Sequence, residues 1–167
     1  ISLSNGDIID KTIIIICAAL DSQSLLRPLG YNIALEPILG QAIEIDCISE
    51  KYFKKWPSVI SLNGLNLIVK NNNSLIIGAT LEPGLEPKSE YLKKMLRLND
   101  FLPEWIAEAK IIKQWSGIRA RPINKPSPII ESLEPGLILN TGHYRNGILL
   151  APACAEWVGN EIKAGLK

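Results

Sequence analysis

The chain has 167 residues, 47% apolar and 21% charged, with 18 Lys and Arg against 17 Asp and Glu. That composition is too apolar for a disordered chain and too evenly charged for a nucleic-acid or membrane-surface stripe, so neither kind of partner is expected. The longest continuous apolar run, Ile13–Leu20, is far short of the roughly 18–20 residues that span a bilayer.

No signal segment opens the chain, and its start at Ile1 rather than Met leads us to expect a fragment. Cys17, Cys47 and Cys154 are odd in number and lack any C-x-x-C spacing. Neither a disulfide framework nor a zinc site is expected from them. Cys17 and Cys154 stand in apolar company and read as buried, inert thiols in a reducing, cytoplasmic setting.

Taken in order, Thr12–Cys17 is an apolar, β-branched run without alternation, the pattern of a parallel strand buried on both faces. Ser22–Leu26 forms about one helical turn, and Pro28, Gly30 and Asn32 break it at a crossing between domains. Residues 35–47 end in alternation, with Ala42, Glu44 and Asp46 against Ile43, Ile45 and Cys47, as in a half-buried antiparallel strand. Ser58–Leu62, Leu65–Val69 and Leu75–Thr80 follow as a meander, with a hairpin at Asn63-Gly64 and a second turn at Asn71–Asn73.

Ser89 is the expected N-cap of a helix with Leu92, Met95, Leu96 and Asn99 on one side and a solvated face of Lys93, Lys94 and Arg97. Pro103 opens a short helix carrying Trp105 and Ile106. Ala109–Arg119 is a long strand, Leu137–Asn140 a short one after the prolines at 122, 126 and 128, and Leu149–Lys163 the closing helix. Trp115 and Trp157 are expected in the core or at a domain interface.

His143 is the only histidine, so no histidine-based metal cluster can form, and any nucleophilic triad would have to run through it without a G-x-S-x-G elbow. No phosphate-cradling loop and no G-x-G-x-x-G occurs. Arg119 and Arg145 remain, one following Gly117 at the end of an apolar strand, the other inside a glycine-flanked loop entering a helix. Their planar forks suit a bound carboxylate, or equally a structural Glu or Asp. Gly142 and Gly147 allow close backbone approach, and amides at the helix start point outward as donors.

The segments Gly117-Ile-Arg119…Arg121-Pro122 and Gly142-His-Tyr-Arg-Asn-Gly-Ile-Leu-Leu-Ala-Pro152 resemble the carboxy-terminal signature of the FAD-dependent D-amino acid oxidase superfamily. In wording they are nearest to the glycine oxidases of thiamine biosynthesis. Glu36-Pro37-Ile-Leu-Gly40-Gln41 resembles the superfamily's P-x-x-G-Q strand opening, Leu75–Thr80 its G-A-T strand, and Thr12–Ser22 its A-A-G-A-W-S segment.

The resemblance implies an α+β protein: an antiparallel or mixed-sheet substrate domain with flanking helices, plus closing pieces of an FAD-binding α/β domain whose amino-terminal unit is absent. Residues 1–26 are then the returning segment of the FAD-binding domain, 33–117 the substrate domain and 118–167 the closing FAD-binding segment. Arg119 would bind the substrate carboxylate and Arg145 would lie at the same pocket. The backbone of Gly142, His143, Tyr144, Asn146, Gly147, Ile148 and Leu149 would line the flavin, with the side chain of His143 structural.

Asn66 falls where the family often has a pocket tyrosine, Val69 where it has proline, and Ala19 where it has glycine. Leu81 would be a second pocket wall that favours a small side chain. The implied reaction oxidises glycine or a small D-amino acid by hydride transfer to FAD, giving an imine and hydrogen peroxide and demanding no catalytic base. The alternatives are a dehydrogenase of sarcosine-like amines and a fragment that only folds or associates. Implied partners are a small amino acid, the amino-terminal FAD-binding part of the same polypeptide, and further copies in a homo-oligomer.

Overall fold

The computed structural model describes residues 2–8, 13–46, 56–71, 73–98, 106 and 108–165. Within them lie β1 (Ile14–Ile16), α1 (Ser22–Leu26), β2 (Leu35–Asp46), β3 (Val59–Leu62), β4 (Leu65–Asn71), β5 (Ser74–Gly78), β6 (Glu82–Pro83), α2 (Ser89–Leu96), β7 (Lys110–Pro122), β8 (Ile129–Glu134), β9 (Leu137–Thr141) and α3 (Gly147–Gly165). The architecture is α+β with mixed sheets. Among the described residues no helix is long and apolar enough to cross a membrane. The chain divides into two units, residues 1–36 with 119–167, and residues 37–118.

The first unit holds a three-stranded sheet ordered β1-β9-β8, with β1 parallel and β8 antiparallel to β9. Leu26, Ile33, Leu35, Ala120, Ile129, Leu137 and Leu139 form its core. β1 is parallel as its β-branched run predicts, but it is an edge strand of this sheet, so Ile15 is 39% exposed and Cys17 is exposed rather than buried. Cys154 is buried, as expected. The sequence reading overlooked β8, which follows the Pro-rich stretch directly. It ends the long strand three residues early and starts the last helix two residues late: β7 runs on to Pro122, and α3 begins at Gly147.

The second unit is built on a six-stranded sheet whose path is β3-β4-β5-β2-β6, with β7 paired to β2. Asn63 and Gly64 both take positive φ (49° and 80°) between the paired Leu62 and Leu65, as a two-residue hairpin turn requires. Alternation puts Ile43, Ile45, Leu65, Leu67, Leu75 and Ile77 on one face, where Met95 of α2 covers them and Leu92 and Leu96 pack alongside.

β2 is buried along nearly its whole length, not half-buried. Its polar face is satisfied from within: Lys70 Nζ donates to both oxygens of Glu44 at 2.9 and 2.8 Å. Ser89 is the first residue of α2 rather than its cap. Lys88 holds the cap position in extended conformation, its amide donating to Glu82 Oε2 at 2.8 Å. Trp115 is 39% and Trp157 36% exposed, so neither belongs to a core cluster. Cys47, Asn72, Asn99 and the Pro103–Trp105 segment lie outside the described residues.

Candidate functional site

The glycine-containing turn between β9 and α3 is built on steric necessity. Gly142 has φ +67°, and a Cβ there would meet Pro122 Cγ at 2.8 Å and Leu35 Cδ2 at 3.4 Å. Only glycine lets the turn seat itself on the end of β7. Ser127 Oγ donates to the Gly142 carbonyl at 2.6 Å, and the Asn146 amide to the His143 carbonyl at 3.0 Å. Just before the turn, Thr141 Oγ1 donates to the Ala19 carbonyl at 3.0 Å and accepts from Ser22 Oγ at 3.2 Å. The segment after β1 is thus tied to the same place, and Ala19, at the family's glycine position, has φ +49°.

α3 starts at Gly147, and its first internal bond runs from the Leu150 amide to the Asn146 carbonyl at 2.9 Å. Helical arithmetic leaves the amides of Gly147, Ile148 and Leu149 without intrahelical acceptors. The side chains of Ile148 and Leu149 are 96% and 79% exposed. An apolar rim beside unpaired donors suits a flat ligand with an apolar face and an acceptor edge.

β7 brings arginines to this turn. Along its end Arg119 and Arg121 are half-buried while Ala120 and Pro122 are buried, so the two arginines share one face of the strand. Arg121 Nε and Nη2 both reach Glu36 Oε1 at 2.6 Å, and the guanidinium lies 5.8 Å from the centroid of the Tyr144 ring. The Glu36 carboxylate, by accepting that hydrogen bond, raises the pKa of Arg121 further, partial desolvation opposes it, and Tyr144 adds to the rise. Arg145, one residue beyond Tyr144, is exposed. Of the predicted residues, then, Arg119 and Arg145 stand on two segments that touch through Arg121–Tyr144 and Pro122–Gly142. Glu36 and Arg121 were given no role by the sequence reading, although Arg121 falls within the quoted motif at the strand-face spacing from Arg119.

The other two predicted residues belong to the second unit. Asn66 is half-buried on β4, opposite Gly78, and accepts from Ser61 Oγ at 2.7 Å. Gly78 is required there, because a Cβ would meet that of Ala42 at 2.8 Å. Leu81 is 40% exposed and lines an open cleft of about 240 Å³ with Asn63, Gly64, Ala79, Tyr91 and Lys94. Asn66 does not line that cleft.

Leu81 is positioned by a buried network the sequence reading missed. Gln41 Nε2 donates to Glu82 Oε1 at 2.8 Å, the Gln41 amide to Thr80 Oγ1 at 2.7 Å, and the Thr80 hydroxyl to Glu82 Oε1. Glu82 is fully buried, yet both its oxygens are engaged. The Gly40-Gln41 and Gly78-Ala-Thr80 motifs are therefore two halves of one bonded unit. Among the described residues, no group of three or more His, Cys, Asp or Glu could hold a metal ion.

Comparison with known proteins agrees with these motifs. The model of the family described as FAD dependent oxidoreductase matches residues 2–161. Glycine oxidase of Pseudomonas aeruginosa is 31% identical over 162 residues, covering 92% of this chain and 42% of the relative. Glycine oxidase of Pseudomonas putida is 32% identical over 152 residues, covering 86% of this chain and 39% of the relative. The crystal structure of glycine oxidase from Geobacillus kaustophilus superposes with a TM-score of 0.76 at 25% identity, over 91% of this chain and 41% of that one. The chain thus spans less than half the length of the relatives it matches.

Proposed function

The chain belongs to the FAD dependent oxidoreductase family, and from that premise we propose that it is the carboxy-terminal portion of a cytoplasmic, flavin-dependent amino acid oxidase acting on glycine or a small D-amino acid. The observation that carries this reading is the seating of the β9–α3 turn on the end of β7, where Pro122 underlies Gly142 and Arg121 faces Tyr144. That seating gives the strand bearing Arg119 and the turn bearing Arg145 a common neighbourhood. In this reading the first unit serves the cofactor and supplies the arginines for the substrate carboxylate, and the second is the substrate domain.

The residues present fit FAD. The turn from Gly142 to Asn146 has the backbone approach that only glycine allows, and α3 offers the amides of Gly147, Ile148 and Leu149 with exposed aliphatic side chains beside them. When bound, FAD supplies the acceptor for the two electrons of amine oxidation. The task left to the protein is orientation. Arg119 holds the substrate carboxylate through its fork, and Arg145 adds positive charge at the same anion. None of these groups takes a proton; overall the amine and dioxygen give an imine, released to water, and hydrogen peroxide, the two hydrogens lost by the amine ending in the peroxide.

The test is Arg119→Ala in the FAD-loaded full-length enzyme. Removing one partner of a desolvated charge pair costs about 2–5 kcal/mol, so KM for the amino acid should rise by at least about thirtyfold. Arg119→Lys should restore little, since a lysine cannot bind a carboxylate in parallel. Unchanged steady-state kinetics in the alanine variant would remove Arg119 from the site. Peroxide released in step with substrate consumed is the expected stoichiometry, and its absence in air would move the reading from oxidase to dehydrogenase.

A further inference from the structure

The geometry points to Arg121 as a positioning residue: braced by Glu36, it clamps the Tyr144 ring and so fixes the turn from which Arg145 reaches the substrate carboxylate. This rests on the function proposed above for Arg145. The need for a clamp is visible in the backbone. Tyr144 has φ +52°, a left-handed conformation that costs an L-residue energy and persists only where the surroundings hold it. Its neighbour Arg145 is exposed and meets no hydrogen-bonding or ionic partner among the described residues. The direction of Arg145 is thus inherited from the turn.

Besides the turn's own bond from the Asn146 amide to the His143 carbonyl at 3.0 Å, three side chains hold that turn. Pro122 packs under Gly142 and Ser127 bonds its carbonyl, but both act one side of Tyr144. The only charged group on the ring itself among the described residues is the Arg121 guanidinium, 5.8 Å from its centroid. That guanidinium is not free to drift, because Nε and Nη2 converge on Glu36 Oε1 at 2.6 Å. The ion pair also neutralises Arg121, so it does not compete with Arg119, two residues away on the same strand face, for an incoming anion. A planar guanidinium can serve a carboxylate at its edge and an aromatic ring at its face together; an ammonium cannot.

The experiment uses the FAD-loaded full-length enzyme and acetate as the probe, titrated by the change it produces in the flavin absorption spectrum. Arg121→Met and Glu36→Gln should each weaken acetate by about tenfold, and the double variant should be no worse than either, because the pair acts as one unit. KM for the amino acid should rise by a similar factor while kcat stays within about twofold, and Arg121→Lys should recover only a minor part. A loss in Arg121→Met with none in Glu36→Gln would overturn the proposal, since Arg121 would then be meeting the anion directly. Normal acetate binding in both variants would overturn it as well.

Tyr144→Gly keeps the claim testable if the other variants fold poorly. Glycine adopts a left-handed φ without strain, so in that background Arg121→Met should cost nothing further, and a persistent tenfold loss would refute the clamp. Arg119→Ala, titrated in parallel, separates the two readings. Undiminished acetate binding there would sink the proposed function, whereas the Arg121 and Glu36 results bear on the clamp.

Discussion

Ala19 holds a backbone conformation that its side chain opposes. Its φ of +49° is the left-handed value that costs an L-residue about 1–2 kcal/mol. The carbonyl of that residue accepts from Thr141 Oγ1, which in turn accepts from Ser22, so the bend cannot relax without breaking the partly buried Thr141 hydrogen bond. The glycine that the resemblance places at this position is what such a geometry favours. Ala19→Gly should therefore stabilise the protein by up to about 1 kcal/mol, against the usual loss of roughly 0.5–1 kcal/mol for glycine introduced elsewhere. Urea unfolding of the pair of proteins measures it, and a lowered midpoint would mean that the alanine is not strained. Gly142 and Gly78 illustrate the same logic from the opposite side: at both, a Cβ would come within 2.8 Å of a neighbour.

At the scale of elements, β2 decides how far the second unit depends on charge. Glu44 is buried on that strand and its carboxyl is held below the ordinary carboxylate range, first by the Lys70 hydrogen bond, then by Ser74, and last by the positive charges of Lys70 and Lys113, while desolvation opposes them. A depressed folded pKa means stability that is complete above the unfolded value, about 4.3, and lost as the pH falls through the lower folded one. The thermal midpoint should thus decline on acidification below about pH 5, and Glu44→Gln should flatten that decline while lowering the midpoint at pH 7. An unchanged acid limb in the variant would assign the acid sensitivity to other carboxylates.

The same strand marks where sequence reading ends. Its alternation, the Asn63-Gly64 turn and the Met95 face of α2 are written in local periodicity, and they fold as written. That both faces of β2 are covered is not local information, because the partner of Glu44 is Lys70, two strands away across β5. β8 escaped notice for a related reason: Ile-Ile-Glu-Ser-Leu-Glu after two prolines becomes a strand only by pairing with β9. In the candidate site, the motifs named Arg119 and Arg145, but Glu36 lies 85 residues from Arg121, and only folding reveals that they pair.

Over the whole molecule, the question is whether these 167 residues retain a flavin alone. On the function proposed above, their contribution to such a site is one glycine turn, the three amides at the start of α3 and an exposed aliphatic pair. The sequence contains no G-x-G-x-x-G to hold a pyrophosphate, and its curated Pseudomonas relatives are more than twice the length it covers, at 42% and 39% of each. A ligand stabilises a fold by RT ln(1 + [L]/Kd), so a cofactor held at one edge in the millimolar range adds less than about 0.1 kcal/mol at 100 μM. The 167-residue polypeptide should therefore emerge from desalting without stoichiometric absorbance near 450 nm, and added FAD should leave its thermal midpoint unmoved. The full-length enzyme should gain several degrees under the same addition. A yellow, stoichiometric preparation of the 167 residues would instead place the principal flavin contacts within this chain, and would make the β9–α3 turn the anchor of the cofactor rather than one wall of its site.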